Sequence, residues 1–303
     1  MKFDFEYDPE KVARLAETVV FRGSYEDTAE NRSLTIPEGI VEIGENAFRD
    51  FENLEEITLP KSLTRISACA FSGCQRLKKG TVNFGVREIL DEAFSSCPSL
   101  TEMILPDSVE RLGEGVFEGC ASLTRVKLSE RVYTIGANAF AFCFNLTHVI
   151  IPDSCVLVEF SAFSSCFSLE SVKLSANMQL LDESLFEGCR SLKEVDLPTK
   201  LVKIGRRVFK GCSSLSSVIL PISTLSIGFD AFAECTSLRR IAFPKGLADI
   251  EEEDIFEGCN SLTDISFGAG EAEWNTLMRG KTLTVRHSDN TLSSPKVTFM
   301  NLK

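Results

Sequence analysis

The chain has 303 residues and is 44% hydrophobic, so it is long and apolar enough to bury a large core. Its formal net charge of −12 argues against a protein that coats nucleic acid or an anionic membrane. No apolar run approaches the roughly 18 residues that a membrane span needs, so we expect no membrane insertion. Residues 1–18 carry charges where a signal peptide needs an apolar stretch, which predicts a cytoplasmic location for the chain as given.

The first predicted element is an N-terminal cap over residues 1–33. Asp8 and Pro9 are typical of a helix start, with Asp as the N-cap and Pro in the first turn, and they predict a helix from residue 9 to about residue 19. The segment Leu34–Pro37 is then the first predicted strand.

A repeat fills residues 34–268. Nine phenylalanines recur at intervals of 23 residues and a tenth follows after 24: Phe48, Phe71, Phe94, Phe117, Phe140, Phe163, Phe186, Phe209, Phe232 and Phe256. A fixed period of 20–29 residues is typical of a solenoid, in which each unit buries its apolar face against its neighbours. The repeat therefore predicts an α/β solenoid of about ten 23-residue units.

Other positions of the repeat predict the local structure. Leu123 to Leu128 follows the pattern L-x-x-V-x-L, typical of leucine-rich-repeat strands, so we expect one strand per repeat in a curved parallel sheet with a concave face. Glycines such as Gly113 and Gly136 fit a positive φ or a tight bend. The A-F-x-x-C-x-x-L spacing predicts short helical or 3-10 convex segments. Leu225 and the run 251–254 break the register, which predicts a less regular C-terminal end.

Cysteine follows the repeated phenylalanine by three residues in nine units, and Phe51 stands there in the first. A residue repeated at one phase indicates an inward-facing column, and Cys is often buried, so we interpret Cys120 and its equivalents as core. Only Cys69 and Cys74 lie close in sequence, and His148 and His287 are distant, which argues against zinc. Disulfide bonds between cysteines of neighbouring repeats are an alternative that the sequence does not exclude.

The predicted C-terminal cap covers residues 269–303. Residues 271–279 fit a short helix, and the segments 281–287 (KTLTVRH) and 296–300 (KVTFM) fit a closing strand pair. Trp274, the only tryptophan, is interpreted as a plug over the last repeat.

The strand pattern also predicts a site. Residues on either side of the middle apolar residue point away from the core, because side chains alternate across a strand. This phase places eight candidate residues on the concave face: Ile104, Arg125, Lys127, His148, Ile150, Lys173, Glu194 and Asp196. Neighbouring charges of both signs beside exposed isoleucines favour protein recognition.

The segment 100–122, LTEMILPDSVERLGEGVFEGCAS, resembles the BspA-type leucine-rich repeat, whose pattern has Leu-x-x-Ile-x-Leu-Pro, Val-x-x-Ile-Gly and Ala-Phe-x-x-Cys elements, and the likeness extends over residues 34–268. The tail around Glu273 and Trp274 resembles the segment that often ends such arrays in bacterial members. The resemblance implies an interaction scaffold of the kind found on bacterial or protist surfaces, so a trimmed chain would be a cell-surface or secreted protein. It implies no catalytic residues.

Three function classes follow from these observations. The first is a non-enzymatic scaffold that binds a protein through the concave face. The second is a carbohydrate or cell-wall binding adhesin, which ranks lower because the outward strand positions contain no Trp, Tyr or Phe. An enzyme ranks third, because the sequence shows no phosphate-binding loop and no nucleophile beside a base. We expect no cofactor, no metal and no nucleic-acid partner.

Overall fold

A computed structural model describes residues 20–21, 27–28, 32–251, 255–278, 283–287 and 291–299; for Gly80 and Thr81 only the backbone is described. These residues form a parallel β-solenoid. We call each turn of the solenoid, about one repeat long, a rung. The predicted helix over residues 9–19 lies outside the described residues.

The L-x-x-V-x-L segments form the predicted parallel sheet, which we call the front sheet. It runs as seven strands and then four: Ser33–Thr35, Glu56–Thr58, Lys79–Thr81, Glu102–Ile104, Arg125–Lys127, His148–Ile150 and Ser171–Lys173, followed by Ser217–Ile219, Arg240–Phe243, Asp264–Phe267 and Lys296–Phe299. Between the two parts, the rung of Asp196 is joined to Lys173 by a single bridge.

The prediction of one strand per repeat is wrong, because each rung also contributes a second, two-residue strand. These strands form a side sheet, again in two parts: Val20–Phe21, Glu42–Ile43, Arg65–Ile66, Glu88–Ile89, Arg111–Leu112, Thr134–Ile135 and Leu157–Val158, followed by Leu180–Leu181, Lys203–Ile204, Ser226–Ile227 and Asp249–Ile250. One inward apolar residue and one outward residue are too short a pattern to distinguish from a turn.

The segment around each repeated phenylalanine is a chain of turns. Bonds such as Cys120 N–H to Phe117 C=O have the i→i−3 spacing of a 3-10 turn, as expected, but residues in the left-handed region interrupt them twice per rung, as at Gly115 and Gly119. Bonds to the next rung, such as Phe117 N–H to Ala139 C=O, hold the segment in register. The turns are therefore fixed by their neighbours and do not form an independent helix.

The glycines that follow the side strands serve close packing. A Cβ on Gly136 would lie 2.6 Å from the carbonyl carbon of Gly113 in the preceding rung, and Gly113 and Gly136 have no positive φ. The side chain is excluded by the neighbouring backbone, and the expected positive φ lies instead in the turns.

Phenylalanine rings form a continuous column through the core. From Phe21 to Phe256 successive rings stack with centroids 5.1–6.0 Å apart, and the repeated phenylalanines are buried. The cysteine column lies beside it and is also buried, which confirms the core interpretation. All eleven cysteines are free thiols.

The C-terminal end closes the stack differently from the prediction. The helix Glu271–Met278 is present, and Trp274 contacts Phe243, Phe267 and Phe299 of the last rungs at centroid distances of 5.4–6.4 Å, as a plug would. The expected pairing of segments 281–287 and 296–300 is wrong. Val285–Arg286 pairs antiparallel with Leu292–Ser293, and Lys296–Phe299 joins the front sheet parallel to Asp264–Phe267. The tail therefore supplies the last front strand itself.

Candidate functional site

Six of the eight candidate residues lie together on four adjacent front strands. The backbone pairs Lys127 with Ile104, Arg125 with His148, and Ile150 with Lys173. All six side chains are exposed while Val126, Val149 and Val172 between them are buried, so the strand alternation is as predicted. We call this group, Ile104, Arg125, Lys127, His148, Ile150 and Lys173, the front patch.

The other two candidate residues, Glu194 and Asp196, lie on a rung whose backbone is not a regular strand. Both are exposed, and Asp196 meets the sheet only through its bridge to Lys173. They lie beside the front patch where the front sheet is interrupted.

Acidic residues in and beside the front strands neutralise part of the positive charge of the front patch. Arg125 forms an ion pair with Glu102 of the preceding strand at 3.3 Å. Beside His148 and Lys173, the Lys193 ammonium donates a hydrogen bond to Glu170 at 2.7 Å and thereby lowers the pKa of that carboxyl. Lys127 and Lys173 form no ion pair with any described residue. The free positive charge of the patch therefore rests on these two lysines.

The isoleucines are the most unusual members of the front patch. Ile150 is 62% exposed and Ile104 is 47% exposed. Exposing them loses the favourable transfer from water that a buried isoleucine provides, and a polar residue fits the same outward position. Ile219, 75% exposed, occupies this phase beyond the sheet interruption. The patch can therefore bury apolar area between two lysines when a partner covers it.

Two further exposed clusters were missed by reading only the front-strand positions. Exposed apolar side chains lie in the side strands or directly before them: Tyr133, Val156, Leu157, Leu180, Val202 and Leu225. The turns carry three phenylalanines and an arginine that contact one another, which we call the turn-edge cluster: Phe142, Phe144, Phe167 and Arg190. Comparing the second and fourth residues after each repeated phenylalanine would have revealed the turn-edge cluster, because small or polar residues occupy most rungs there.

The C-terminal hairpin brings together residues that the sequence did not connect. His287 lies 2.8 Å from Ser293 Oγ through Nε2 and 3.1 Å from Asn260 Oδ1 through Nδ1. A histidine in contact with a serine hydroxyl is also the arrangement of a base and a nucleophile in acyl transfer. That reaction needs, in addition, free N–H donors that stabilise an oxyanion. The adjacent N–H of His287 bonds to Thr291 C=O and that of Gly258 bonds to Arg286 C=O. The contact serves to fasten the hairpin to the last turn.

Metal and membrane sites are equally unsupported in the described part of the chain. No group of three His, Cys, Asp or Glu side chains there is arranged to hold a metal ion. None of the helices within the described ranges is long and apolar enough to cross a membrane.

Comparisons with known proteins agree with the repeat architecture. A sequence model described as "BspA type Leucine rich repeat region" matches six copies, over residues 19–141, 87–216 and 156–276. No curated protein sequence matches the chain. Among solved structures, a leucine-rich repeat protein from Eubacterium ventriosum is similar with a TM-score of 0.50 and 19% identity, over 72% of this chain and 80% of that chain, and this likeness shows the fold alone.

Two further solved structures are similar to parts of the chain. A leucine-rich repeat protein from Bacteroides ovatus is 25% identical, with a TM-score of 0.39, over 88% of this chain and 83% of that chain. The leucine-rich repeat protein of T. pallidum is 29% identical, with a TM-score of 0.45, over 61% of this chain and 78% of that chain.

Proposed function

The chain belongs to the BspA-type leucine-rich repeat family, and from this premise we propose that it is a non-enzymatic scaffold that binds a protein partner through the front patch. Repeat scaffolds of this kind typically serve in protein or surface interactions, because stacked rungs present one long, rigid face. A location on the cell surface, as the family resemblance implies, is part of the same proposal.

The observation that carries the proposal is the exposure of Ile150 beside Lys173 on neighbouring strands, with Lys127 one strand away. An apolar centre flanked by unpaired charges is the arrangement by which protein interfaces combine buried area with charge selection. A partner that fits it presents an apolar side chain flanked by carboxylates.

A carbohydrate-binding adhesin is the second candidate. Sugar sites rely on the rings of Trp, Tyr or Phe, and the front patch contains none of these residues. The front patch therefore favours a protein partner over a saccharide.

The test is affinity capture from cells of the source organism. The bait is the wild-type chain or a triple variant, Arg125→Glu with Lys127→Glu and Ile150→Asp. A matched control variant carries Arg131→Glu, Lys245→Glu and Ile222→Asp, which change the same charges and an 82% exposed isoleucine outside the patch. We expect one protein to be retained by the wild type and the control and lost by the triple variant. Equal retention by all three baits would contradict the use of the front patch.

A further inference from the structure

The turn-edge cluster is an ordered aromatic stack on the protein surface. The rings of Phe144 and Phe167 stack at a centroid distance of 4.9 Å and 14° between planes. The Arg190 guanidinium continues the stack, 4.4 Å above the centre of the Phe167 ring. Three successive rungs thus place planar groups one above another, outside the core.

The backbone beneath the stack is held in register. The N–H of Ser168 bonds to Phe144 C=O, and the N–H of Ser191 bonds to Phe167 C=O, both at 3.1 Å. These bonds join each rung to the next directly beside the stacked side chains. A partner would therefore meet a surface that needs little ordering on binding.

Phe142 extends the cluster at a conformational cost. Its φ is 60°, and its ring stands at 77° to that of Phe144, with centroids 6.2 Å apart. A left-handed backbone is rare for a bulky residue. The equivalent positions in other rungs hold Gly, Ser, Asp or Glu, as at Gly119 and Ser165. An exposed aromatic residue on strained backbone contributes little to folding, which is typical of a functional position.

Phe144 forms the first ring of the stack and is partly exposed. Phe167 covers one face of the Phe144 ring, and the opposite face is turned toward the preceding rung, where the equivalent residue is Ala121. Phe144 is 37% exposed and Phe142 is 44% exposed. The two exposed rings stand at 77° to each other and form a corner on the side of the rung that holds Ala121, where a further planar ring would continue the stack.

The other end of the stack is positively charged. Arg190 is exposed, and its contact with Phe167 uses the face of the guanidinium. Its N–H edge makes no hydrogen bond or ion pair with any described residue. A guanidinium held flat by an aromatic ring presents that edge to a carboxylate in bidentate geometry.

We propose that the turn-edge cluster is a second docking site, which binds a protein segment carrying an aromatic side chain and a carboxylate. The aromatic side chain stacks on Phe144 above Ala121, and the carboxylate binds Arg190. With one ring added below Phe144, the two contacts lie about 14 Å apart, which an extended chain spans in about four residues. The site is separate from the front patch and does not depend on the function proposed for it.

The spacing favours a peptide over a saccharide. In an acidic sugar the carboxylate is attached to the same pyranose ring that would stack on the phenylalanine. Here the corner and Arg190 are three rungs apart. An extended peptide also lies naturally along the edge of a stack whose rungs repeat every 4.8 Å or so.

The experiment uses a displayed library of random dodecapeptides, panned on the full chain. We expect enrichment of sequences with Trp, Tyr or Phe separated by about four positions from Asp or Glu. A synthetic peptide of the enriched sequence is then titrated by fluorescence anisotropy. A second peptide of the same composition, with the acidic residue moved next to the aromatic one, should bind at least about tenfold more weakly.

The variants replace each side chain by the residue that another rung holds at the same phase, so that the fold is retained. They are Phe142→Gly, as at Gly119, Phe144→Ala, as at Ala121, and Arg190→Ser, as at Ser213. Phe84→Ser, which removes a phenylalanine that is 75% exposed elsewhere, is the control. We expect Phe144→Ala and Arg190→Ser each to raise the Kd about tenfold or more and the control to leave it unchanged.

Three results would overturn the proposal. The first is a library that shows no enrichment on the wild type over a folded variant carrying all three cluster substitutions. The second is a peptide whose Kd is the same for that variant. The third is binding of acidic oligosaccharides, lost on Phe144→Ala, in place of peptides. The front-patch triple variant should bind the enriched peptide with the Kd of the wild type. The peptide assay therefore tests the turn-edge cluster alone, and the capture experiment tests the front patch alone.

Discussion

The thiol of Cys120 donates a hydrogen bond to the carbonyl oxygen of Phe94, at an Sγ···O distance of 3.2 Å. The same bond joins every cysteine of the column to the phenylalanine 26 or 27 residues earlier, from Cys74 with Phe48 to Cys259 with Phe232. The two repeated residues of the sequence thus form one unit: the ring stacks between rungs, and the thiol satisfies the carbonyl of the preceding ring's residue.

The phenylalanine column predicts a large loss of stability on truncation. Phe140 is fully buried, with Phe117 and Phe163 stacked on its two faces at 5.3 and 5.2 Å. We expect Phe140→Ala to lower the free energy of unfolding by about 3–5 kcal/mol, measured by urea denaturation. Phe84→Ala, at an exposed site, is the matched control and should change it by less than about 0.5 kcal/mol. Equal effects of the two substitutions would show that the column does not carry the core.

The cysteine column predicts slow alkylation of the native protein. Burial raises the pKa of the Cys143 and Cys189 thiols, so both access and thiolate formation are suppressed. Cys69 is the partly exposed member of the eleven. We expect iodoacetamide to label Cys69 first in the folded protein and all eleven thiols after denaturation, as counted by mass spectrometry. Rapid native labelling of Cys97, Cys120, Cys166 or Cys212, or a deficit of two hydrogens per bridge, would be inconsistent with a buried thiol column.

Buried thiols also predict a loss of stability at alkaline pH. Burial raises the pKa of Cys155 to about 11 and that of Cys166 to about 12, from an ordinary value of 9.0. Above pH 9 the unfolded chain releases these protons while the folded chain keeps them, so the unfolded state binds fewer protons and the free energy of unfolding falls as pH rises toward 12. Below pH 9 this contribution is fully present.

The measurement is the slope of the unfolding free energy against pH between about 9 and 11, compared in the wild type and Cys166→Ala. The variant has lost one titrating thiol, and its slope should be shallower whatever its absolute stability. Identical slopes would show that Cys166 does not titrate differently in the two states.

The left-handed conformation of Phe142 predicts that a substitution can stabilise the fold. Glycine adopts a φ of 60° without the steric cost that phenylalanine has there. We expect Phe142→Gly to raise the Tm, or at least not to lower it, although glycine is more flexible in the unfolded chain. Ser164→Gly, at a neighbouring turn position without positive φ, is the control and should lower the Tm. A Tm lowered equally by both changes would indicate that Phe142 packs productively.

The columns of the fold were predictable because solenoid geometry repeats in the sequence. Phe140, Cys143 and Leu146 recur at fixed phase in every rung or nearly so, and such repetition arises only from equivalent environments. The same reasoning gave the outward orientation of Lys127 and Ile150, because strand alternation is local. The plug position of Trp274 was predictable on a different ground, because a single large aromatic residue in the cap contributes most when it is buried.

The remaining features depend on contacts between rungs. Gly136 is small because the backbone of Gly113 lies against it, and Asn138 adopts a positive φ because bonds to the next rung fix it. The C-terminal strand Lys296–Phe299 adds to the last rung because that rung has an open edge, which no pattern inside the segment encodes. The ion pair of Arg125 with Glu102 likewise follows only from the register.

The binding kinetics of the captured partner test the central claim most directly, with surface plasmon resonance on folded variants checked by circular dichroism. The account predicts that Arg125→Glu with Lys127→Glu slows association through lost electrostatic steering, and that Ile150→Asp mainly raises the dissociation rate, because it puts a charge into buried apolar area. All three together should abolish binding while Arg131→Glu, Lys245→Glu and Ile222→Asp leave it intact. A folded triple variant that binds the partner with wild-type rates would contradict the account.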